Sequence, residues 1–221
     1  MDVIPLGRAA RGWLALFGLA MIACIGGCNA LAALGYITNN DAEDAECNKL
    51  IGKRIAIVCR PVEQLQYSDS TAAPDLANAV GELLKSQVKK CQIISPSEVA
   101  EWADQHNWND YAEVGKALKA DVVVGIDLEQ FSINEGQTLF KGRAEVHLCV
   151  YDIKNGGKTI FNKKMPPTVY PPNSAVAQSE QSEAEFRRQY IAVLAEHIAR
   201  YFYPHDPRAD FASDTNVLDP H

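Results

Sequence analysis

Between Gly12 and Ile37 the chain carries no charged residue, and Arg8 and Arg11 stand just ahead of that run. A stretch so apolar cannot form the solvated surface of a compact body. It belongs to a membrane or to an export signal, with its basic end retained on the cytoplasmic side. Gly26, Gly27 and Asn29 lie inside it, and all three are poor residues for a helix interior. They suit a site that must open to a peptidase. From Trp13 to Cys28 the run is shorter than the roughly 20 residues that span a bilayer. Ala30 to Ile37 extends it enough to span with tilt.

Ile25-Gly26-Gly27-Cys28 resembles the lipobox of bacterial lipoproteins. The resemblance implies acylation of the Cys28 thiol and cleavage before it. A retained transmembrane anchor and a freely secreted chain are the competing readings. The two anchored readings put the rest of the chain on the outer side of a membrane, facing the periplasm or the exterior. The expected organisation is a signal peptide over residues 1–27 and a membrane-proximal tether over 28–49. A single domain over 50–203 and a loose tail over 204–221 complete it. From Asn39 to Leu50 the tether reaches at most about 40 Å, at roughly 3.3–3.6 Å per extended residue.

Beyond the signal, the chain has one ordinary domain's length, large enough to bury a core without staples. With 47% hydrophobic and 22% charged residues the composition is globular, and a net charge of −7 with no basic stripe speaks against a nucleic-acid surface. Cys47, Cys59, Cys91 and Cys149 remain beyond the signal, with no CxxC among them. Their spacing fixes neither a pairing nor a metal pattern. Cys59 and Cys149 fall in apolar strand patterns and read as small buried hydrophobes. Cys47 falls in the polar tether and reads as free.

Arg54 to Cys59 and Asp121 to Ile126 are short, β-branched apolar runs, the pattern of strands buried on both faces. Cys91 to Ile94 is a shorter strand. Leu76, Val80, Leu83, Leu84 and Val88 recur at helical spacing, with Pro74 in the first turn. Ser95-Pro96-Ser97-Glu98 opens a second helix in capping-box form, and Asn109 or Asp110 caps a third. Arg143 to Asp152 alternates, Asn155-Gly156 signals a hairpin, and Lys158 to Lys164 returns as its partner. Pro166 to Pro172 reads as an extended link, and Ser182 caps a final helix from Glu183 to about Phe202. The order predicts an α/β fold, a mixed β-sheet sandwiched by helices with a C-terminal helix.

Lys53–Val58, Ile93–Glu98, the helix-to-strand passage Val114–Gly125, and a strand ending at Tyr151-Asp152 before an Asn-Gly turn are together similar to a superfamily of envelope α/β domains. It includes the TolB amino-terminal domain, the curli-secretion lipoproteins and the outer-membrane lipoprotein activators of penicillin-binding proteins. The resemblance covers roughly residues 50–203 and implies a TolB amino-terminal-domain-like fold. It carries no catalytic group.

There is no GxGxxG, P-loop, HExxH or GxSxG, and no cofactor or metal is expected. The function expected is a non-enzymatic envelope lipoprotein, held to the membrane by lipid, that binds or helps assemble other envelope proteins. Its recognition surface is expected on the polar loop Gln64–Ser70, the strand extension Leu128–Gly142 and the proline link. Leu128, Phe131, Ile133, Leu139, Phe140 and Tyr170 are the candidate contact residues. Trp102, Trp108, Tyr111 and Phe131 are expected to form an aromatic cluster. The alternative is a small-ligand receptor or enzyme using Asp127, Glu129 and His147, with Asp121 as a further cation ligand and Cys149 and Glu145 beside His147.

Overall fold

The computed structural model describes residues 42–61 and 71–207. The compact unit that begins at Glu43 holds every element of the sheet and its helices. The signal residues Ile25, Gly26, Gly27 and Cys28 and the loop residues Gln64–Ser70 lie outside the described residues.

The sheet is mixed, in the order β2-β1-β3-β4-β5. These strands are β1 (Arg54–Pro61), β2 (Gln92–Ile93), β3 (Val122–Glu135), β4 (Leu139–Asp152) and β5 (Lys158–Lys164). β1 runs parallel to β2 and β3, and β4 runs antiparallel to both β3 and β5. Two short strands, β6 (Thr168–Tyr170) and β7 (Val176–Ala177), pair with the first half of β4. The α/β reading therefore holds, with helices on both faces.

Helices α1 (Ala72–Gln87) and α4 (Glu183–Ala199) cover one face, with a 3-10 turn at Arg200–Phe202 completing the second. Their buried stripes follow the 3.6-residue period: Leu76, Val80 and Leu84 on α1, and Phe186, Tyr190, Leu194 and Ile198 on α4, are at most 1% exposed. They meet Ile55, Ile57, Val122, Val124, Ile126, Val146, Leu148 and Val150, which alternation sends to that face. Ile55 pairs with Val122 and Ile57 with Val124 across adjacent parallel strands. Helices α2 (Pro96–Gln105) and α3 (Tyr111–Ala117) cover the opposite face over Ala56, Val58 and Val123. α3 can approach so closely because residue 115 is glycine; a Cβ there would lie 2.5 Å from Val123.

The caps are local chemistry. Asp110 accepts from the Ala112 amide at 2.9 Å, and Ser182 from the Glu185 amide at 3.3 Å. Ser95 departs from the capping box: its hydroxyl pairs with that of Ser97 at 2.7 Å. Pro74 sits in the first turn of α1, where its missing amide leaves no helical bond unmade.

Three segments differ from the sequence reading. The strand expected over Asp121–Ile126 runs on to Glu135; β3 and β4 form one long hairpin, 14 residues in each arm. The proline link contains β6, whose residues pair with Gly142–Ala144. Residues 43–49, assigned to the tether, belong to the fold. Glu43 makes a two-bond bridge with His205, the Cys47 amide donates to the Tyr201 carbonyl, and Cys47 and Leu50 are 3% and 0% exposed. An amphipathic segment that can bury Leu50 gains more by packing than by hydration. Cys47 is thus buried, and it, Cys59, Cys91 and Cys149 are all free thiols.

Candidate functional site

Strand alternation and register bring a set of polar side chains together on the α2/α3 face of the sheet. Asp127 of β3 stands opposite His147 of β4, and Cys149 follows two residues on, opposite Asn162 of β5. Arg60 of β1 pairs in register with Asp127. Tyr111 of α3 lies over the sheet at Gly125, where a Cβ would come within 3.0 Å of its ring. Glycine at 125 is what allows the Tyr111 hydroxyl to reach Asp127, at 2.7 Å. Tyr111 stacks on Tyr151, with ring centroids 5.4 Å apart, and Arg60 lies 5.0 Å above its ring.

One oxygen of Asp127 accepts from Arg60 at 2.8 and 3.0 Å and from Tyr111; the other lies 3.8 Å from His147 Nδ1. His147 Nε2 is 3.0 Å from the Asn162 oxygen and 3.8 Å from Cys149 Sγ. Carboxylate, imidazole and thiol thus stand in series, in the order of a thiol-nucleophile triad. The chemistry runs the other way. Cys149 is 4% exposed, and burial pushes its thiol up, where a nucleophile needs it lowered. The His147 nitrogen that would take the proton already faces Asn162. At 3.8 Å the Asp127–His147 pair is beyond a hydrogen bond. Asp127 is occupied by Arg60 and Tyr111, and burial first, then Asp127, holds the Tyr111 hydroxyl far above its usual range, fixed as a donor. The set is a satisfied polar network that ties β1, β3 and α3 together.

The other acids are not gathered with it. Glu129 is held by Lys164 at 2.8 Å, with Glu145 at 3.5 Å from the same ammonium. Asp121 sits at the far end of β3, accepting from the Arg54 amide at 2.9 Å and from Lys154 at 2.7 Å. Asp121, Asp127 and Glu129 therefore form no cation site. Among the described residues no group of three His, Cys, Asp or Glu is placed to hold a metal.

The expected partner surface is also corrected. Leu128, Phe131, Ile133 and Phe140 are 1%, 8%, 5% and 3% exposed. Phe131 stacks on Tyr190 at 5.5 Å, and Phe140 on Phe186 at 5.3 Å. Tyr170 lies partly buried against the same two rings. Of the six, Leu139 alone is solvent-facing, at 37%. The register shift between Leu128 and Gln130 turns Phe131 to the same face as Leu128, and Ile133 follows it by alternation. The aromatic cluster divides as well. Trp108 meets Tyr111, Trp102 stacks on His106, and Phe131 is on the opposite face.

Clefts open elsewhere. One, about 440 Å³, lies between α1 and α2 at the carboxyl end of β1, with Pro61, Ala73, Ser95 and Trp108 in its wall. Another, about 480 Å³, lies where Glu43–Glu46, the Met165–Pro172 segment and the end of α4 meet. No local signal pointed to the second, because its two sides are brought together by contacts between the ends of the domain, the Glu43–His205 bridge and the Cys47–Tyr201 bond among them. The run Tyr201-Phe202-Tyr203 was its one trace, an apolar segment past the helix end that had to pack on something.

No protein-family model matches the chain, and no curated protein matches it. Among solved structures it is similar to the PelC dodecamer of Paraburkholderia phytofirmans, at 12% identity and a TM-score of 0.42, covering 73% of this chain and 91% of that one. Protein XCC0632 of Xanthomonas campestris is similar at 8% identity and 0.43, covering 80% and 95%. Lipoprotein GNA1162 of Neisseria meningitidis is similar at 11% and 0.40, covering 66% and 97%. Among the described residues no helix is long and apolar enough to cross a membrane.

Proposed function

We propose that this chain is a lipoprotein of the bacterial envelope that acts without catalysis, holding a binding surface for other envelope proteins close to a membrane. Cys28 is the lipidated residue, and the domain is of the TolB amino-terminal-domain-like superfamily to which its strand and helix pattern is similar. The observation that carries the reading is spacing. The folded unit begins at Glu43, fifteen residues after the lipobox cysteine. That length reaches at most about 50 Å, so a lipid at Cys28 keeps the domain near the bilayer. The closed Asp127–Tyr111–Arg60 network and the raised Cys149 thiol support a non-catalytic role.

Cys28→Ala in the full chain should leave a larger, uncleaved precursor and abolish labelling by a fatty-acid analogue. Labelling that persists in the variant would overturn the anchor. The receptor-or-enzyme reading has one observation in its favour, the serial placement of Asp127, His147 and Cys149. It requires that Asp127→Asn or His147→Gln abolish the cellular phenotype while every membrane partner is still captured. The docking reading requires phenotype and capture to fall together.

A further inference from the structure

The cleft beside the Glu43–His205 bridge has an apolar wall and an acidic rim. Met165, Pro166, Val169, Pro172 and Tyr201 form the wall. Glu43, Asp44 and Glu46 stand exposed at the rim. The cations nearby are already committed: Lys163 to Glu46 at 2.6 Å, and Arg200, 8% exposed, to Glu196 at 2.7 Å. His205 faces Glu43 at 3.8 Å, and the Glu43 side chain is still 68% exposed. Lys163 shows how the rim takes a cation: its ammonium is gripped by both oxygens of Glu46 and lies 5.0 Å over the Tyr201 ring.

We propose that this cleft docks a basic, extended segment of a partner protein, with lysine or arginine heads at Glu43 and Asp44 and their aliphatic stems against the proline and tyrosine wall. The proposal rests on the docking reading above and gives it a site and a partner chemistry. Charge complementarity selects the occupant. A long basic side chain satisfies both parts of the cleft, because its stem is apolar and its head is charged. An anionic lipid surface is disfavoured, since the rim has its sign. A proline-rich wall is ordered before binding and loses little freedom on contact.

The test uses the full lipidated chain in detergent micelles and a fluorescein-labelled Lys-Pro-Leu-Lys peptide, read by anisotropy. A Glu-Pro-Leu-Glu peptide is the counterpart. The lysine peptide should bind and the glutamate peptide should not. Glu43→Gln with Asp44→Asn should weaken binding about tenfold, the scale of two exposed ion pairs at low salt. Glu180→Gln with Glu183→Gln removes the same charge from another surface and should change binding less than twofold. Equal binding by the Glu43/Asp44 variant, or equal loss in the control variant, overturns the site. Tighter binding after truncation beyond Pro207 overturns it too, because residues 208–221 would then be the occupant. If the rim variant melts early, hydrogen exchange on the wild type decides. Protection confined to residues 43–46 and 165–172 on peptide addition supports the site, and protection elsewhere overturns it. A variant that loses the peptide yet keeps its membrane partners removes this cleft and leaves the docking reading intact. A wild-type chain that captures no membrane partner removes that reading itself.

Discussion

Two glycines show how single residues set this architecture. Gly125 admits the Tyr111 ring, and Gly142 admits that of Tyr190. A Cβ at 142 would lie 2.4 Å from the Tyr190 ring, and Tyr190 is fully buried with its hydroxyl donating to the Thr168 carbonyl at 3.0 Å. The ring has no room to retreat, so Gly142→Ala should cost about 1–3 kcal/mol. A thermal melt unchanged from wild type would show that the ring can move. Asp121 gives a pH signature. The Arg54 amide first, then Lys154, hold its carboxyl below the usual carboxylate range. A folded pKa below the unfolded value of about 3.9 stabilises the fold above that value and is lost as pH falls through the lowered one. Asp121→Asn should therefore cost about 1 kcal/mol at pH 7. Variant and wild type should converge as pH falls through that lowered value, as read by urea denaturation across pH. A gap that does not narrow as pH falls would place the effect in packing.

At the scale of elements, what is written locally was legible and what depends on register was not. Caps at Asp110 and Ser182, the buried runs of β1 and β3 and the Asn155-Gly156 turn each declare themselves within a few residues. Gly156 and Gly157 take left-handed φ values of 79° and 80° there, a conformation glycine adopts freely. By contrast, the register shift after Leu128 moved Phe131 and Ile133 from the predicted surface to the core. Pairing of Asp127 with His147 is a fact of register, and along the chain only the His147–Cys149 spacing could be seen. Thr168–Tyr170 looked like a link because prolines flank it, while its pairing partner lies on β4. The paired β1–β3 core gives the sharpest test. Val124→Asp would put an unpaired charge where the side chain is 0% exposed, at several kcal/mol, on the order of a domain's whole stability. Cooperative unfolding within a few degrees of wild type would contradict that burial.

Over the whole molecule, the ends of the domain are joined, and this is what creates the acidic cleft. Glu43 and His205 exchange backbone bonds, Cys47 hangs from Tyr201, and Leu50 is fully buried. The fold therefore takes in residues 43–50, and the same lap supplies the cleft's acidic rim at Glu43, Asp44 and Glu46. Truncation measures how firmly that lap is held. A chain starting at Glu43 should unfold in urea with wild-type midpoint and slope, because it retains every one of these contacts. A chain starting at Ile51 loses Leu50 and Cys47 and uncovers the core beneath them. Its stability should fall by roughly 2–5 kcal/mol, the range for emptying a large buried aliphatic site, with the denaturant slope little changed. Equal stability of the two chains would mean that residues 43–50 only rest on the domain, and that the cleft they edge opens freely.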